Sequence, residues 1–101
     1  MTQKEFSEIS YSIPTNPGIY KYYDQANVLL YVGKAKHLRK RVSSYFNKTS
    51  NSHKTLELVN RIYKIEFTIV NNEHEALLLE NSLIKEYQPF FNILLKDDKS
   101  Y

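Results

Sequence analysis

The chain contains no cysteine, which removes a disulfide framework, a thiolate nucleophile and a zinc knuckle at one stroke. A reducing cell interior is its natural compartment. No apolar run approaches the roughly 20 residues needed to span a bilayer, and the first residues lack the apolar stretch of a secretory signal. The expectation is a soluble, intracellular protein with no membrane partner. Clustered acidic residues of the kind a two-metal site needs are also missing, and His37, His53 and His74 have no metal-ligand spacing.

What remains fits one domain with one modest core in 101 residues. The net charge of +3 leans towards an anionic partner, and the charge is unevenly placed. Lys34, Lys36, His37, Arg39, Lys40 and Arg41 fall within eight positions, whereas Glu73, Glu75, Glu80 and Glu86 gather in a later segment. Within the basic run, Lys36 and Arg39 are candidate contacts for phosphates.

Met1 to Tyr11 shows little periodicity and reads as a frayed lead-in, so residues 1–12 are set apart from a domain at 13–101. Pro14 and Pro17 direct the chain along an extended path. Ile19 to Tyr23 and Val28 to Val32 read as strands of a hairpin closed by Asp24-Gln25-Ala26-Asn27. Leu38, Val42, Tyr45 and Phe46 recur at helical spacing and predict a helix from His37 to Phe46. After a loop at Asn47 to Ser52, a second helix from about His53 to Lys64 uses Leu56, Val59, Ile62 and Tyr63 as its buried stripe. Ile65 to Val70 alternates as a third strand. Asn72 and Glu75 resemble a capping box opening a third helix through about Tyr87, which Pro89 prevents from continuing. The resulting order is β-β-α-α-β-α.

Tyr20, in Gly18-Ile19-Tyr20, and Tyr31, in Tyr31-Val32-Gly33, stand eleven residues apart. Counting back from the loop places Tyr20 opposite Tyr31, so that two phenols sit side by side on one face of the sheet. On the third helix Glu80 falls inside the arc of Ala76, Leu77, Leu79, Leu83, Ile84 and Tyr87. A carboxylate turned towards the core is costly unless paired, hydrogen-bonded or bound to a metal. An ion pair with Arg41 and a magnesium ion are both open to it. Arg41 and Tyr45 lie four apart and project from neighbouring positions, the arginine offering a planar fork for phosphate oxygens. Lys40 lies on the opposite side of that helix. Lys34 follows the glycine of the second triplet, where it can reach back over the tyrosines and draw one below its ordinary pKa of about 10, as a base for water.

Together these residues resemble the GIY-YIG nuclease domain from about Ile13 onward, with Tyr-Val-Gly as the second triplet. Four blocks carry a closer likeness to the N-terminal domain of the bacterial UvrC excinuclease family: residues 31–36, Arg41-Val42-Ser43-Ser44-Tyr45-Phe46, Glu75 to Asn81, and Asn92 to Tyr101 with its Lys-Asp-Asp-Lys-Ser-Tyr end. The likeness implies an α+β fold, a small three-stranded antiparallel β-sheet flanked by helices. It implies that Tyr20, Tyr31, Lys34, Arg41, Tyr45, Glu80 and Asn92 occupy active-site positions. His37 stands where asparagine is frequent in the family. A cytoplasmic bacterial endonuclease is then expected, dependent on a single magnesium or manganese ion, making the 3′ incision of nucleotide excision repair in double-stranded DNA with UvrB as partner of the full-length protein. The chain itself is expected to be a monomeric fragment of a longer one. In that reading Glu80 holds the metal, Arg41 stabilises charge on phosphorus, and Tyr31 is the general base, with Tyr20 exchangeable for it. Tyr45 and Asn92 position phosphate oxygens and metal-bound water. A structure-specific or mobile-element nuclease of the same type, or a non-catalytic nucleic-acid module using basic and aromatic residues, are the alternatives.

Overall fold

The computed structural model describes residues 1–47 and 52–96. The fold is α+β, and its centre is a three-stranded antiparallel sheet in the order β2-β1-β3, formed by β1 (Gly18–Tyr23), β2 (Leu29–Ala35) and β3 (Lys64–Ile69). Helices α2 (Leu38–Asn47) and α3 (His53–Arg61) separate β2 from β3, and α4 (Glu73–Tyr87) follows it. This is the order expected from sequence. It is extended at both ends, by α1 (Gln3–Ile9) with a single 3-10 turn at Ser10–Ser12, and by α5 (Phe90–Lys96). The terminal Asp-Asp-Lys-Ser-Tyr of the fourth block, and most of the expected 47–52 loop, lie outside the described residues.

The lead-in is therefore not frayed. Thr2 and Glu5 form a reciprocal capping box that satisfies the first free amides of α1. Phe6 then stacks on Phe46 of α2, with ring centroids 4.2 Å apart. One buried apolar residue gives no readable period, which is why the helix escapes a periodicity argument. α5 is likewise hidden in sequence within the motif that contains it. Gln88 ends α4 in the left-handed region at φ 43°, its N–H bonded to the Ile84 carbonyl, and Pro89 then turns the chain into α5.

The hairpin closes more tightly than four loop residues allow. Asp24 N–H bonds to the Val28 carbonyl, the Asp24 carboxylate accepts from the amides of Ala26 and Val28, and Asn27 takes φ 64°. The register then slips between Tyr22 and Tyr23. Tyr20 consequently pairs with Gly33, and Tyr22 with Tyr31, correcting the expected Tyr20–Tyr31 pairing. The displacement is two residues, so both original tyrosines keep the same face.

That face carries the main core, where Tyr20, Tyr22 and Tyr31 pack with Leu38, Val42 and Tyr45 of α2, Leu58 of α3 and Phe91 of α5. On α3, Leu58 and Val59 are buried and Leu56 is exposed; beyond its end Ile62 is buried and Tyr63 exposed. The stripe is thus rotated from the expected one, because the helix stops at Arg61 and the chain turns into β3. The other face of the sheet holds a smaller cluster of Ile19, Val32 and Ala76, with Leu79, Leu83 and Ile84 of α4 half-buried around it. Leu77 and Tyr87 remain exposed.

Tyr22 is fully buried, and its hydroxyl has no hydrogen-bond partner among the described residues. A buried donor left unmet costs about 1–3 kcal/mol. Tyr22→Phe keeps the ring and removes that cost, so the thermal midpoint should hold or rise. A drop of several degrees in a melting experiment would show that the hydroxyl has a stabilising partner.

Candidate active site

The site is built where α2 covers the tyrosine face of the sheet. Opposite Tyr20 a side chain of any size is excluded, since a Cβ on Gly33 would meet the Tyr20 ring carbon and hydroxyl. The glycine lets the phenol lie across β2. α2 contributes Arg41 and, one turn later, Tyr45. The Tyr20 and Tyr45 hydroxyls share a hydrogen bond of 2.7 Å, and Arg41 Nη2 donates to the Tyr45 hydroxyl at 3.4 Å. The guanidinium carbon also sits 5.1 Å from the Tyr45 ring centroid. Tyr31 joins from β2, its centroid 6.2 Å from that of Tyr20 and 6.4 Å from that of Tyr45. Glu80 is half-buried on α4, close enough for its charge to bear on Tyr31.

Burial dominates the acid–base behaviour of this cluster. It pushes the phenols of Tyr20, Tyr31 and Tyr45 well above their ordinary value. Tyr31 is pushed further by Tyr45 and, more weakly, by Glu80, while Arg41 draws it down. The expectation that Lys34 lowers a tyrosine is corrected by strand alternation. Lys34 shares a face with Val32, beneath α4, and its ammonium stands 3.8 Å from Glu73. The cation that favours phenolate here is Arg41. Burial opposes the guanidinium's own charge, but the phenol oxygens around it more than offset this and raise its pKa.

Other candidates are placed differently. Arg39 donates from Nε to the Ile13 carbonyl at 2.9 Å and from Nη2 to the Tyr11 carbonyl at 2.8 Å. It ties down the segment before β1 rather than standing in the cluster. Lys36 is exposed and lies 3.6 Å from Glu73. Lys40 is exposed, and His37 caps α2 by accepting the Lys40 amide on Nδ1. Asn92 comes to the site through the backbone of β2. Its Oδ1 accepts from the Val32 amide and its Nδ2 donates to the Val32 carbonyl, both at 2.8 Å. The side chain thus supplies the outer edge of β2 with the partner an added strand would give, between Tyr31 and Gly33. Sequence reasoning misses Tyr22. It lies two residues from Tyr20 on the same strand, the one signal that could have found it, and its ring centroid is 5.2 Å from Tyr20, 6.2 Å from Tyr31 and 5.3 Å from Tyr45.

No group of three or more His, Cys, Asp or Glu side chains converges among the described residues. The donors at the cluster are one carboxylate and several phenol oxygens. An all-oxygen set with a single acid suits magnesium, which keeps most of its water, and does not suit a closed nitrogen–sulfur zinc site.

A sheet whose two leading strands bring paired tyrosines under an arginine-bearing helix, with one glutamate alongside, defines a GIY-YIG domain. Residues 16–93 match the family model described as the UvrC-like GIY-YIG domain, and the chain belongs to that family. It is 54% identical over its whole length to UvrABC system protein C of Porphyromonas gingivalis, of which it covers 17%. The corresponding protein of Flavobacterium johnsoniae is 58% identical over 89% of the chain, which covers 15% of that relative. The chain thus spans a small part of the curated relatives it matches. The crystal structure of the GIY-YIG N-terminal endonuclease domain of UvrC from Thermotoga maritima, bound to its catalytic magnesium, superposes with a TM-score of 0.76. The two are 33% identical, and the match covers 87% of this chain and 96% of that one. Versions of that domain with single tyrosine-to-phenylalanine or asparagine-to-alanine changes are also bound to the catalytic divalent cation.

Proposed function

We propose that this domain is a magnesium-dependent endonuclease that hydrolyses one phosphodiester bond of double-stranded DNA. In its full-length protein, with UvrB, it makes the 3′ incision of nucleotide excision repair in the bacterial cytoplasm. The observation that carries this reading is the convergence of three phenols, the Arg41 guanidinium and the Glu80 carboxylate on one edge of the sheet. Those groups match the needs of phosphate hydrolysis. Arg41 faces the position where negative charge accumulates on phosphate oxygens, and its hydrogen bond to Tyr45 aims it there. A divalent ion, when held by Glu80, supplies Lewis acidity at the phosphate; manganese fits the same donors.

Burial raises Tyr31 above an ordinary value of about 10, so it is protonated at neutral pH and its phenol oxygen first orients the attacking water as a hydrogen-bond acceptor. To act as base it first releases its own proton to solvent, a loss that positive charge around it favours and to which Arg41 contributes, and the phenolate then takes the proton of the attacking water. Tyr20 and Tyr45 hold each other's hydroxyls in place and fix the ring against which Tyr31 rests. Asn92 holds the outer edge of β2 in place beneath it through its two bonds to Val32.

A nicking assay on lesion-bearing duplex with UvrB, run with and without magnesium, tests the reading. Tyr31→Phe in the full-length protein should slow single-turnover cleavage about 10²–10⁴-fold, the usual contribution of a general base, with little change in stability. No nicking with magnesium and UvrB present would remove the nuclease assignment, nicking without magnesium would remove the metal role, and a Tyr31→Phe variant as fast as wild type would remove the base.

A further inference from the structure

Glu73, the first residue of α4, places Oε1 3.8 Å from Lys34 Nζ and Oε2 3.6 Å from Lys36 Nζ. One carboxylate therefore occupies two cations of the basic run, and neither lysine makes a second ion pair among the described residues. Glu73 and Glu80 are seven residues apart, two helical turns, and so lie on one side of α4 about 10 Å from each other. β2 matches this spacing, since Lys34 is three residues, again about 10 Å, from Tyr31. The lysine pair thus stands on the α4 side of the sheet, about 10 Å along β2 from Tyr31, within reach of a backbone phosphate next to one held at the tyrosine cluster.

We infer that Lys34 and Lys36 form a subsite for a backbone phosphate flanking the scissile one, and that Glu73 fills this subsite in the free protein as an internal competitor. The inference rests on the DNA substrate proposed above. Lys36 and Glu73 are exposed, at 78% and 47%, and Lys34 is half-buried, with 36% of its side chain open to solvent. Exposed pairs hold weakly, so an arriving phosphate exchanges for the carboxylate instead of being excluded by it. Glu73 thereby weakens binding to DNA that offers no correctly placed phosphate, while Lys34 is kept folded against α4 until one arrives.

The test is binding of the 101-residue chain to a fluorescein-labelled duplex by anisotropy, in EDTA to prevent cleavage, from about 50 to 300 mM sodium chloride. Glu73→Gln should bind roughly three- to tenfold more tightly at about 0.1 M salt. Its plot of log affinity against log salt should be steeper by about one, because the displaced carboxylate of the wild type takes up a cation that the glutamine does not. Glu86→Gln makes the same change in net charge about 20 Å further along α4, beyond the screening length, and should behave as wild type. If Glu73→Gln and Glu86→Gln give the same curve, the competitor is refuted and the nuclease reading stands. If neither the wild type nor Glu73→Gln binds duplex at any salt, the phosphate subsite is refuted, and the nuclease reading is judged separately by nicking with the full-length protein and UvrB.

Discussion

Glu80→Gln should abolish magnesium-dependent nicking while leaving the domain folded. The substitution preserves shape and removes the charge, and Glu80 is the one carboxylate found beside the tyrosine cluster among the described residues. Lewis-acid stabilisation of the reacting phosphate is worth several kcal/mol, so a fall of roughly 10³-fold or more is expected in single-turnover rate. The fold should survive because Glu80 is only half-buried, and α4 is anchored by Ala76, Leu79, Leu83 and Ile84 against Ile19 and Val32. Metal occupancy can be read without substrate. Terbium bound at Glu80 lies close to Tyr31 and should show tyrosine-sensitised emission, which Glu80→Gln should lose. Unchanged emission together with unchanged cleavage would move the metal elsewhere; a variant that unfolds would make Glu80 a structural partner.

Much of this site is legible in sequence because its chemistry and its geometry share a period. Arg41 and Tyr45 recur four apart on a helix whose buried stripe, Leu38, Val42, Tyr45 and Phe46, reads directly from the chain. The Asn72 cap of α4 is equally plain, its side chain accepting the Glu75 amide. The hairpin register is not readable in detail, since it depends on Asn27 entering the left-handed region and on an irregularity after Tyr22, neither of which alternation encodes. Parity survives the error, and so the two named tyrosines still share a face. The arc drawn on α4 is too wide. Small Ala76 brings the helix close to the sheet at one point, leaving Leu77 and Tyr87 outside. Lys34 shows the harder limit. Its place next to Gly33 in the chain suggests reach over the tyrosines, but a strand sends neighbours to opposite faces, and only the packing of α4 shows that Glu73 is waiting there.

The tyrosine cluster should make the domain unusually sensitive to alkali. In the unfolded chain a tyrosine loses its proton near pH 10. Folding raises the pKa of Tyr20, Tyr22, Tyr31 and Tyr45 above that value, chiefly by burial. Between the two values the unfolded state has given up protons that the native state still binds, so stability is complete below pH 10 and declines as pH rises beyond it. Each such group contributes about 1.4 kcal/mol per pH unit, and four together up to roughly 5–6. A small domain with about 5–15 kcal/mol in reserve should then unfold cooperatively within roughly one to three units above pH 10. Circular dichroism and phenolate absorbance, followed together on one sample, provide the check. The chain has nine tyrosines. The phenolate signal of the four buried ones should appear in the same step as the loss of helix. Tyr22→Phe should flatten the decline by about a quarter, because it removes one of four coupled protons. Smooth titration of the four buried phenols near pH 10 with the helices intact would mean that water reaches the cluster, and burial would no longer account for the raised pKa of Tyr31.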